Sequence, residues 1–572
     1  MIPAAPDRAA CAPLLPSRRR YLRIGAAVAA TLPWALPAAG AAAAAPLQVH
    51  AQSMVYFSVR NYGAVGDGKT LDTDAINRAI DAAAKAGGGT VLFPAGDYLS
   101  FSVRLQSNIV LLLDAGATLV GADPALHGGR YDAAEPNPWD AYQDFGHSHW
   151  HNSLIWGENL HDIAIIGTGR IHGRGLTHAG PGPRRAAKPG DMPLSLKGSD
   201  PHGENTAGKE YGADMAGKGN KAIGLKNCRN VLLRDFSLLN GGHFALLATG
   251  VDHLRIDNVM VDTDRDGFDI DCCRFVRIAN CGINSPHDDA ICLKSSYALG
   301  EIRFTENVSI VNCQVSGFDL GSYLDGSFRR TLQKAPDNDG PTGRIKLGTE
   351  SNGGFRNITI SNCVFERSRG LAIESVDGGV IENITVDNLA MRDLTSAPLF
   401  LRLGRRLRAP EGTPVGAIRR VNISNVVVSN ADARYCSSVS GIAGHPLQDI
   451  RISNLTVLHA GGGSRQDGER EMPDNEASYP EPSMFGVTAA HGLFARHVRN
   501  LQFDSIDIEP LRPDLRPAML LQSVQEVSIY RARLPQADGV ARIVLRDASA
   551  LSIKDSPGLP DITGKTATRD RL

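Results

Sequence analysis

One phrase recurs along the body of this chain: a short apolar–polar–apolar run, an Asn or Asp, then a second short run. It reads Asn230-Val-Leu-Leu-Arg-Asp-Phe, His253-Leu-Arg-Ile-Asp-Asn-Val, Phe275-Val-Arg-Ile-Ala-Asn-Cys and Asn307-Val-Ser-Ile-Val-Asn-Cys, with later copies starting at Asn357, Asn383, Arg420, Asp449 and Asn500. The closest copies are 23, 22 and 26 residues apart (230 to 253, 253 to 275, 357 to 383), and longer intervals equal that period plus an inserted loop. Alternation with β-branched residues means half-buried strands. Several short strands per repeat, at a period of this size and without a helical pattern, mean a β-solenoid. The expected fold is therefore all-β, a right-handed parallel β-helix whose successive coils pair in parallel about 4.8 Å apart. The recurring Asn fits a coil corner, where it tolerates left-handed backbone and bonds to its stacked copies. A solenoid core grows along one axis, so 572 residues need not divide into several domains. One β-helix over 52–560 is expected, with loop insertions near 177–219, 321–340 and 461–483.

The ends differ from the body. Ser17-Arg18-Arg19-Arg20-Tyr21-Leu22-Arg23 precedes an Ala/Leu-rich stretch from Ile24 to Ala45. A basic, an apolar and a small-residue region make an export signal, here of the twin-arginine pattern that exports folded proteins, over residues 1–51. The expected location is the periplasm or outside the cell. Asp72 to Lys85 has helical spacing, with Ile76, Ala79, Ile80 and Ala83 on one stripe, Asp72 or Thr73 to cap it and Gly87-Gly88-Gly89 to stop it. Such a helix would close the first coil and keep its edge from pairing with other chains. Cys228, Cys281, Cys313 and Cys363 each follow an Asn at one place in the repeat. That placement favours stacked, buried thiols over disulfides. Lys+Arg (60) nearly equals Asp+Glu (61), so no global field draws nucleic acid or an anionic membrane. Cations that hold a polyanion would have to be local.

The chemistry concentrates in Asp262-Thr-Asp264-Arg-Asp266-Gly-Phe-Asp269-Ile-Asp271 and His287-Asp288-Asp289-Ala-Ile-Cys-Leu-Lys294. Asp266 lies 22 and 23 residues before Asp288 and Asp289. That is one coil, so these carboxylates stack side by side on one face. Crowded like charges raise one another's pKa, and one acid beside one base is what glycosidic cleavage needs. Corner caps or a calcium site would use the same residues differently. No Cys/His spacing suggests zinc, and neither metal nor cofactor is expected.

Three segments together resemble glycoside hydrolase family 28, the polygalacturonases and rhamnogalacturonan hydrolases. Phe57-Ser-Val-Arg-Asn-Tyr-Gly-Ala-Val-Gly-Asp-Gly-Lys-Thr resembles the family's first coil. Asp264-Arg-Asp266-Gly and His287-Asp288-Asp289 stand where the family has Asn-Thr-Asp-Gly and Gly-Asp-Asp. Gly348-Thr-Glu350-Ser-Asn-Gly353-Gly354 resembles a Gly-Ser-Glu…Gly-Gly phrase of bacterial exo-acting members. The resemblance implies inverting hydrolysis of α-glycosidic bonds in pectic polysaccharide or oligosaccharide. It implies Asp288 as general acid, with Asp266 and Asp289 holding and deprotonating the water. No membrane contact after signal removal and a monomeric state are also expected.

The departures are as specific as the matches. The family's Gly-His-Gly turn is replaced by Gly317-Phe318-Asp319 or by Pro341-Thr342-Gly343, neither with a histidine. Arg344-Ile-Lys346 spells the family's substrate-binding Arg-Ile-Lys, but aligning Gly348-Thr-Glu350 moves that role to Ala372-Ile-Glu374. The second register matches more residues. In either, Lys294, Lys346, Arg344, Glu350 and Glu374 are candidate substrate contacts, and rhamnogalacturonan or another branched pectin stands beside polygalacturonan as substrate. His243 is a candidate to reach the groove from the coil before Asp266. His147, His149 and His151 alternate as a strand would and are candidate metal ligands or sugar contacts. Tyr479-Pro-Glu-Pro-Ser-Met-Phe reads as a segment that docks the late loop onto the solenoid. A calcium-dependent pectate lyase and a non-catalytic carbohydrate-binding β-helix are the alternatives.

Overall fold

A computed structural model describes residues 56–143, 146–180 and 214–572. The expected export signal and most of the 177–219 insertion lie outside the described residues. The rest is a right-handed parallel β-helix. Short strands come three to a coil, as in Phe244–Thr249, Asp252–Asp257 and Met260–Asp262, and each pairs in parallel with its counterpart one coil on, Asp266–Asp271, Arg274–Ala279 and Gly282–Asn284. Among the described residues no helix is long and apolar enough to cross a membrane.

The repeat fixes the core. Its second apolar position runs as one column through the solenoid: Leu233, Ile256, Ile278, Ile310, Ile360, Val386, Ile423, Ile452, Phe503, Ile529 and Ile553, all in register and all buried. Truncating one of the central isoleucines to Ala would cost about 2–5 kcal/mol, because the coils above and below cannot collapse into the gap. The corner residues take left-handed backbone as expected: Asn280, Asn312, Asn362, Asn388 and Asn425 all have φ between 55 and 58°. Their amides form a ladder, Asn280 donating to Asp257 (2.8 Å), Asn312 to Asn280 (3.2 Å) and Asn388 to Asn362 (2.7 Å).

Both ends depart from the simple repeat. The helix Thr73–Lys85 buries Ala75, Ile76, Ala79, Ile80 and Ala83 against the first coils. Asp72 does not cap it through its side chain. Its carboxylate instead accepts from the amides of Val65 and Gly66 (2.6 and 3.0 Å), and the Thr73 hydroxyl accepts from Phe101 (2.9 Å). At the other end the chain continues past 560 into Ile562–Arg571, which pairs antiparallel with Ile543–Lys554. Between the strands that end at Ser316 and begin at Ile345, and between those that end at His459 and begin at Leu493, the chain leaves the coil as long loops.

All eight cysteines among the described residues are free and buried. A hydrogen bond with Cys281, then burial, pushes the Cys313 thiol up to about 12, and burial keeps all eight thiols from reagents in solution. Reductant should therefore leave the melting temperature unchanged, and a thiol reagent should label the protein only after unfolding. A drop in melting temperature with dithiothreitol would show a disulfide instead.

Candidate functional site

The solenoid brings the stacked acids together as their spacing requires. Asp269 is level with Cys292, and Asp271 with Lys294, on adjacent strands Asp266–Asp271 and Ile291–Ser295. One residue before these strands' paired part, the Gly267 amide donates to the Asp289 carbonyl (2.9 Å). Asp266 and Asp289 thus occupy the same corner of consecutive coils. Asp266 and Asp289 are buried, whereas Asp288 keeps about a quarter of its side chain exposed (26%).

The next coil supplies the countercharge. The inserted loop returns to the solenoid at Gly343, whose φ is 44° and whose amide donates to the Asp288 carbonyl (3.0 Å). A Cβ there would lie 2.1 Å from the Ser316 carbonyl oxygen, so the re-entry needs glycine. Arg344 follows at once. Its Nε donates to Asp289 Oδ1 (2.6 Å), and Lys346 Nζ meets Asp289 Oδ2 (3.1 Å). Burial alone would raise the Asp289 carboxyl, but the two cations outweigh it and hold the group well below the usual carboxylate range. The remaining Arg344 nitrogens grip Glu481 (Nη1 to Oε2, 3.0 Å), which arrives on the late loop. Tyr479 comes with it, its ring centre 5.5 Å from Lys346 Nζ and 5.7 Å from the Arg406 guanidinium.

Asp266 has the opposite environment. Burial first, then the charges of Asp269, Asp288 and Asp289, raises it well above the ordinary range despite Lys294. Its Oδ1 and that of Asp269 accept no hydrogen bond. His243 is buried beside it, Nε2 3.8 Å from Asp266 Oδ2, with Nδ1 on the His178 carbonyl (2.5 Å). Burial and Arg265 hold the His243 imidazole well below its usual pKa, so it is neutral. Asp269 Oδ2 is held by His147 Nε2 (3.0 Å) and faces Lys294 Nζ (3.5 Å). Lys294 also donates to Glu350 (3.2 Å), which Arg408 grips from the other side (2.7 Å). Arg265 Nη2 stands 3.1 Å from Asp288 Oδ2.

The structure brings Asp266, Asp288, Asp289, Lys294, Arg344, Lys346, Glu350, Glu374 and His243 into one cluster, with some differences from expectation. Pro341-Thr342-Gly343 is the turn one coil after Asp288-Asp289. The strand Ile345–Ser351 lies directly beside Ile291–Ser295, and Leu371–Ser375 one coil further. That is the second of the two registers. Ala372 sits level with Lys346, and Glu374 is fully buried with neither carboxylate oxygen hydrogen-bonded. Lys294, Lys346 and Arg344 are not open cations; each is already engaged by an acid. His147, His149 and His151 lie on turns and irregular chain rather than on a strand, and His147 and His149 are buried. Sequence reasoning missed Arg265, Asp269, Glu481, Arg406 and Arg408 as site residues. For Asp269 and Arg265 a signal existed, since both stand within the acidic run. Nothing local marks the others, which reach the site on loops.

Two triads bring ligand atoms within 4.8 Å of one another: His147 with Asp266 and Asp269, and His243 with Asp266 and Asp288. Each offers one imidazole and two carboxylates, a set suited to a transition ion; calcium takes six to eight oxygens. Lys294 already balances the charge of the first.

A probable polygalacturonase from Vitis vinifera is 24% identical over 433 residues, 72% of this chain and 74% of its own length. A family profile described as rhamnogalacturonase A/epimerase, pectate lyase-like, matches residues 56–125. The family 28 exopolygalacturonase of Yersinia enterocolitica superposes with a TM-score of 0.57 at 19% identity, over 83% of this chain and 78% of that one. The chain is polygalacturonase-like. A hyperthermoactive exopolygalacturonase from Thermotoga maritima shares the fold equally, with a TM-score of 0.54 at 17% identity, over 80% of this chain and 92% of that one.

Glu374 generates a test that needs no substrate. Burial lifts its pKa from 4.5 to about 8, only partly opposed by Lys346 and Arg344. A carboxyl whose folded pKa exceeds its unfolded one binds more protons when folded, so it subtracts stability as pH rises from about 4.5 towards 8. Glu374→Gln should therefore raise the melting temperature more at pH 8 than at pH 5. An equal effect at both values would contradict the protonated state.

Proposed function

We propose that this chain is an inverting glycoside hydrolase that cleaves α-glycosidic bonds in pectic polysaccharide or oligosaccharide, polygalacturonan or rhamnogalacturonan. The observation that carries the proposal is the division of neighbouring acids in one cluster into an ionised Asp289 and a protonated Asp266. Asp289, kept ionised by Arg344 and Lys346, is the base. Asp288, the member that reaches solvent, is the general acid. Asp266, kept protonated by burial and its neighbours, orients the water. In the reaction the water oxygen bonds to the anomeric carbon as the bond to the leaving oxygen breaks. The water proton passes to Asp289, and Asp288 gives its proton to the leaving oxygen, so charge balances within the cluster.

Substrate recognition follows the same pattern. Lys346 and Arg406 both lie against the Tyr479 ring, but each is buried and held by an acid, Asp289 and Asp377, so they set the shape and field of the site rather than meet a uronate carboxylate directly. Lys294 and Glu350 brace Asp269, and Arg344 braces the base. Thr342 at the turn lacking histidine, and Ala372 and Glu374 two coils beyond Asp289, leave the sugar beside the cut with fewer cationic contacts than the family pattern implies. That difference supports rhamnogalacturonan as a candidate alongside polygalacturonan. Export by the amino-terminal signal and a monomeric state are part of the same proposal. The twin-arginine pattern over Ser17–Arg23 supports the export. Calcium-dependent lysis draws less support, because the clustered donors include imidazoles and an ammonium rather than oxygens alone.

Purified protein incubated with polygalacturonan and with rhamnogalacturonan should release new reducing ends from at least one of them. Chelator should have no effect, and no unsaturated, ultraviolet-absorbing product should form. Asp288→Asn should reduce kcat by about 10²–10⁴-fold with an unchanged melting profile, and Asp289→Asn should reduce it by a similar factor while lowering the melting temperature, because Arg344 and Lys346 lose their buried partner. Full activity in either variant, or loss of activity with chelator, would overturn the assignment.

Arg344→Gln separates the base's charge state from its presence. Loss of the cation raises the Asp289 pKa, so the acid limb of kcat/KM should move to higher pH by about 1–3 units. An unmoved acid limb would show that Arg344 does not set the base.

A further inference from the structure

The corner that opens the second strand of each coil carries Asn or Asp at Asn230, Asn307, Asn357, Asn383, Asp449 and Asn500, all in left-handed backbone. Two consecutive coils break that ladder. His253 and Phe275 occupy the same corner with φ of 58 and 57°, a backbone that a bulky side chain such as Phe275 rarely adopts. Arg420 also departs, but its guanidinium is tied to Glu382 and Asn383. His253 and Phe275 have no such ties. Their rings stack on each other, centroids 5.0 Å apart and 13° from parallel, and Phe275 is 52% exposed. An exposed aromatic pair in strained backbone, where the repeat supplies a better residue, calls for a use.

The charges beside it give the chemistry. Arg255 and Arg277 are level on the adjacent strands, one coil apart, and both are exposed. Among the described residues neither forms an ion pair or a hydrogen bond through its guanidinium. The neighbouring column is neutralised: Arg274 faces Glu306 (3.3 Å) and Arg303 holds Asp252 (2.7 Å). The stacked rings and the two arginines border a shallow groove of about 550 Å³ that continues to Ser309 and Thr359. It lies on the second strand of each coil, Asp252–Asp257 and Arg274–Ala279, and not on the strands Asp266–Asp271 and Ile291–Ser295 beside the acids. Two cations on consecutive coils, about 4.8 Å apart, match two adjacent carboxylates of a chain that carries one carboxylate per sugar ring. Ring faces provide the platform on which a sugar's apolar face rests.

We infer that this outer face is a second, non-catalytic binding site for an anionic pectic polysaccharide, built on the His253–Phe275 platform and on Arg255 and Arg277. The choice of polymer rests on the proposed function. The site holds the enzyme on polymer while the aspartate cluster acts elsewhere on the solenoid.

The test uses the full exported protein in two forms. His253→Asn/Phe275→Asn restores the ladder residue, so the fold is kept. Arg255→Gln/Arg277→Gln removes charge without altering the corner. In the Asp288→Asn background, mobility of each should be measured in native gels containing polygalacturonate, with kcat/KM on short oligogalacturonides and on polymer measured in the active background. Expected are retardation of the parent, at least a fivefold weaker retardation for both variants, weakening of the parent's binding by salt, and unchanged oligomer hydrolysis with slower polymer hydrolysis. Retardation equal to the parent in both variants would overturn the site. A parent that cleaves oligomers but is not retarded by polymer would overturn it too and leave the catalytic reading standing. A parent that neither binds nor cleaves any pectic substrate would overturn the proposed function, and this site's ligand with it.

Discussion

A parallel solenoid obliges each coil to set its residues directly over those of the coil before, and the rest of this structure follows from that obligation. Apolar positions become columns such as Ile278-Ile310-Ile360. Corner asparagines become a ladder of amides. Acids 22 and 23 residues apart become neighbours whether or not their charges favour it. In the core the obligation stabilises. At Asp266, Asp269, Asp288 and Asp289 it concentrates negative charge that burial makes worse.

The molecule answers that concentration unevenly, and the unevenness is what chemistry can use. Asp289 receives two cations from the next coil, Arg344 and Lys346, and stays ionised. Asp266 receives no cation of its own and keeps its proton. Asp269 is shared between His147 and Lys294. Residues of one type at one repeat position thus end in different protonation states, because the loops and strands around them differ. The late loop extends the pattern: Glu481 occupies the outer side of Arg344 and fixes the guanidinium that fixes the base.

How much of this was legible depended on whether periodicity carried it. The strands, the corner asparagines, the buried thiols and the meeting of Asp266 with Asp289 all follow from spacing alone. The terminal details do not. Asp72 was free to cap its helix or to anchor the turn at Val65 and Gly66, and only the fold around it decides. The sequence favoured the second register for Arg344-Ile-Lys346 only by its matching residues, because the length of the loop before Gly343 hides which coil the phrase joins. Glu481, Tyr479, Arg406 and Arg408 lie outside the repeat, and long-range loop contacts leave no periodic trace. The stacked His253 and Phe275 were visible as departures from the Asn ladder, yet their exposure and the unpaired arginines beside them needed coordinates.

The central claim is that Asp288 and Asp289 act as separate acid and base on opposite sides of one bond. The most direct measurement is the anomeric configuration of the first product, followed by proton NMR while a pectic oligosaccharide is being cut. A single displacement by water predicts that the new reducing end appears first as the β anomer, with the α form growing only by mutarotation. Initial release of the α anomer would require a covalent double displacement and would contradict the account.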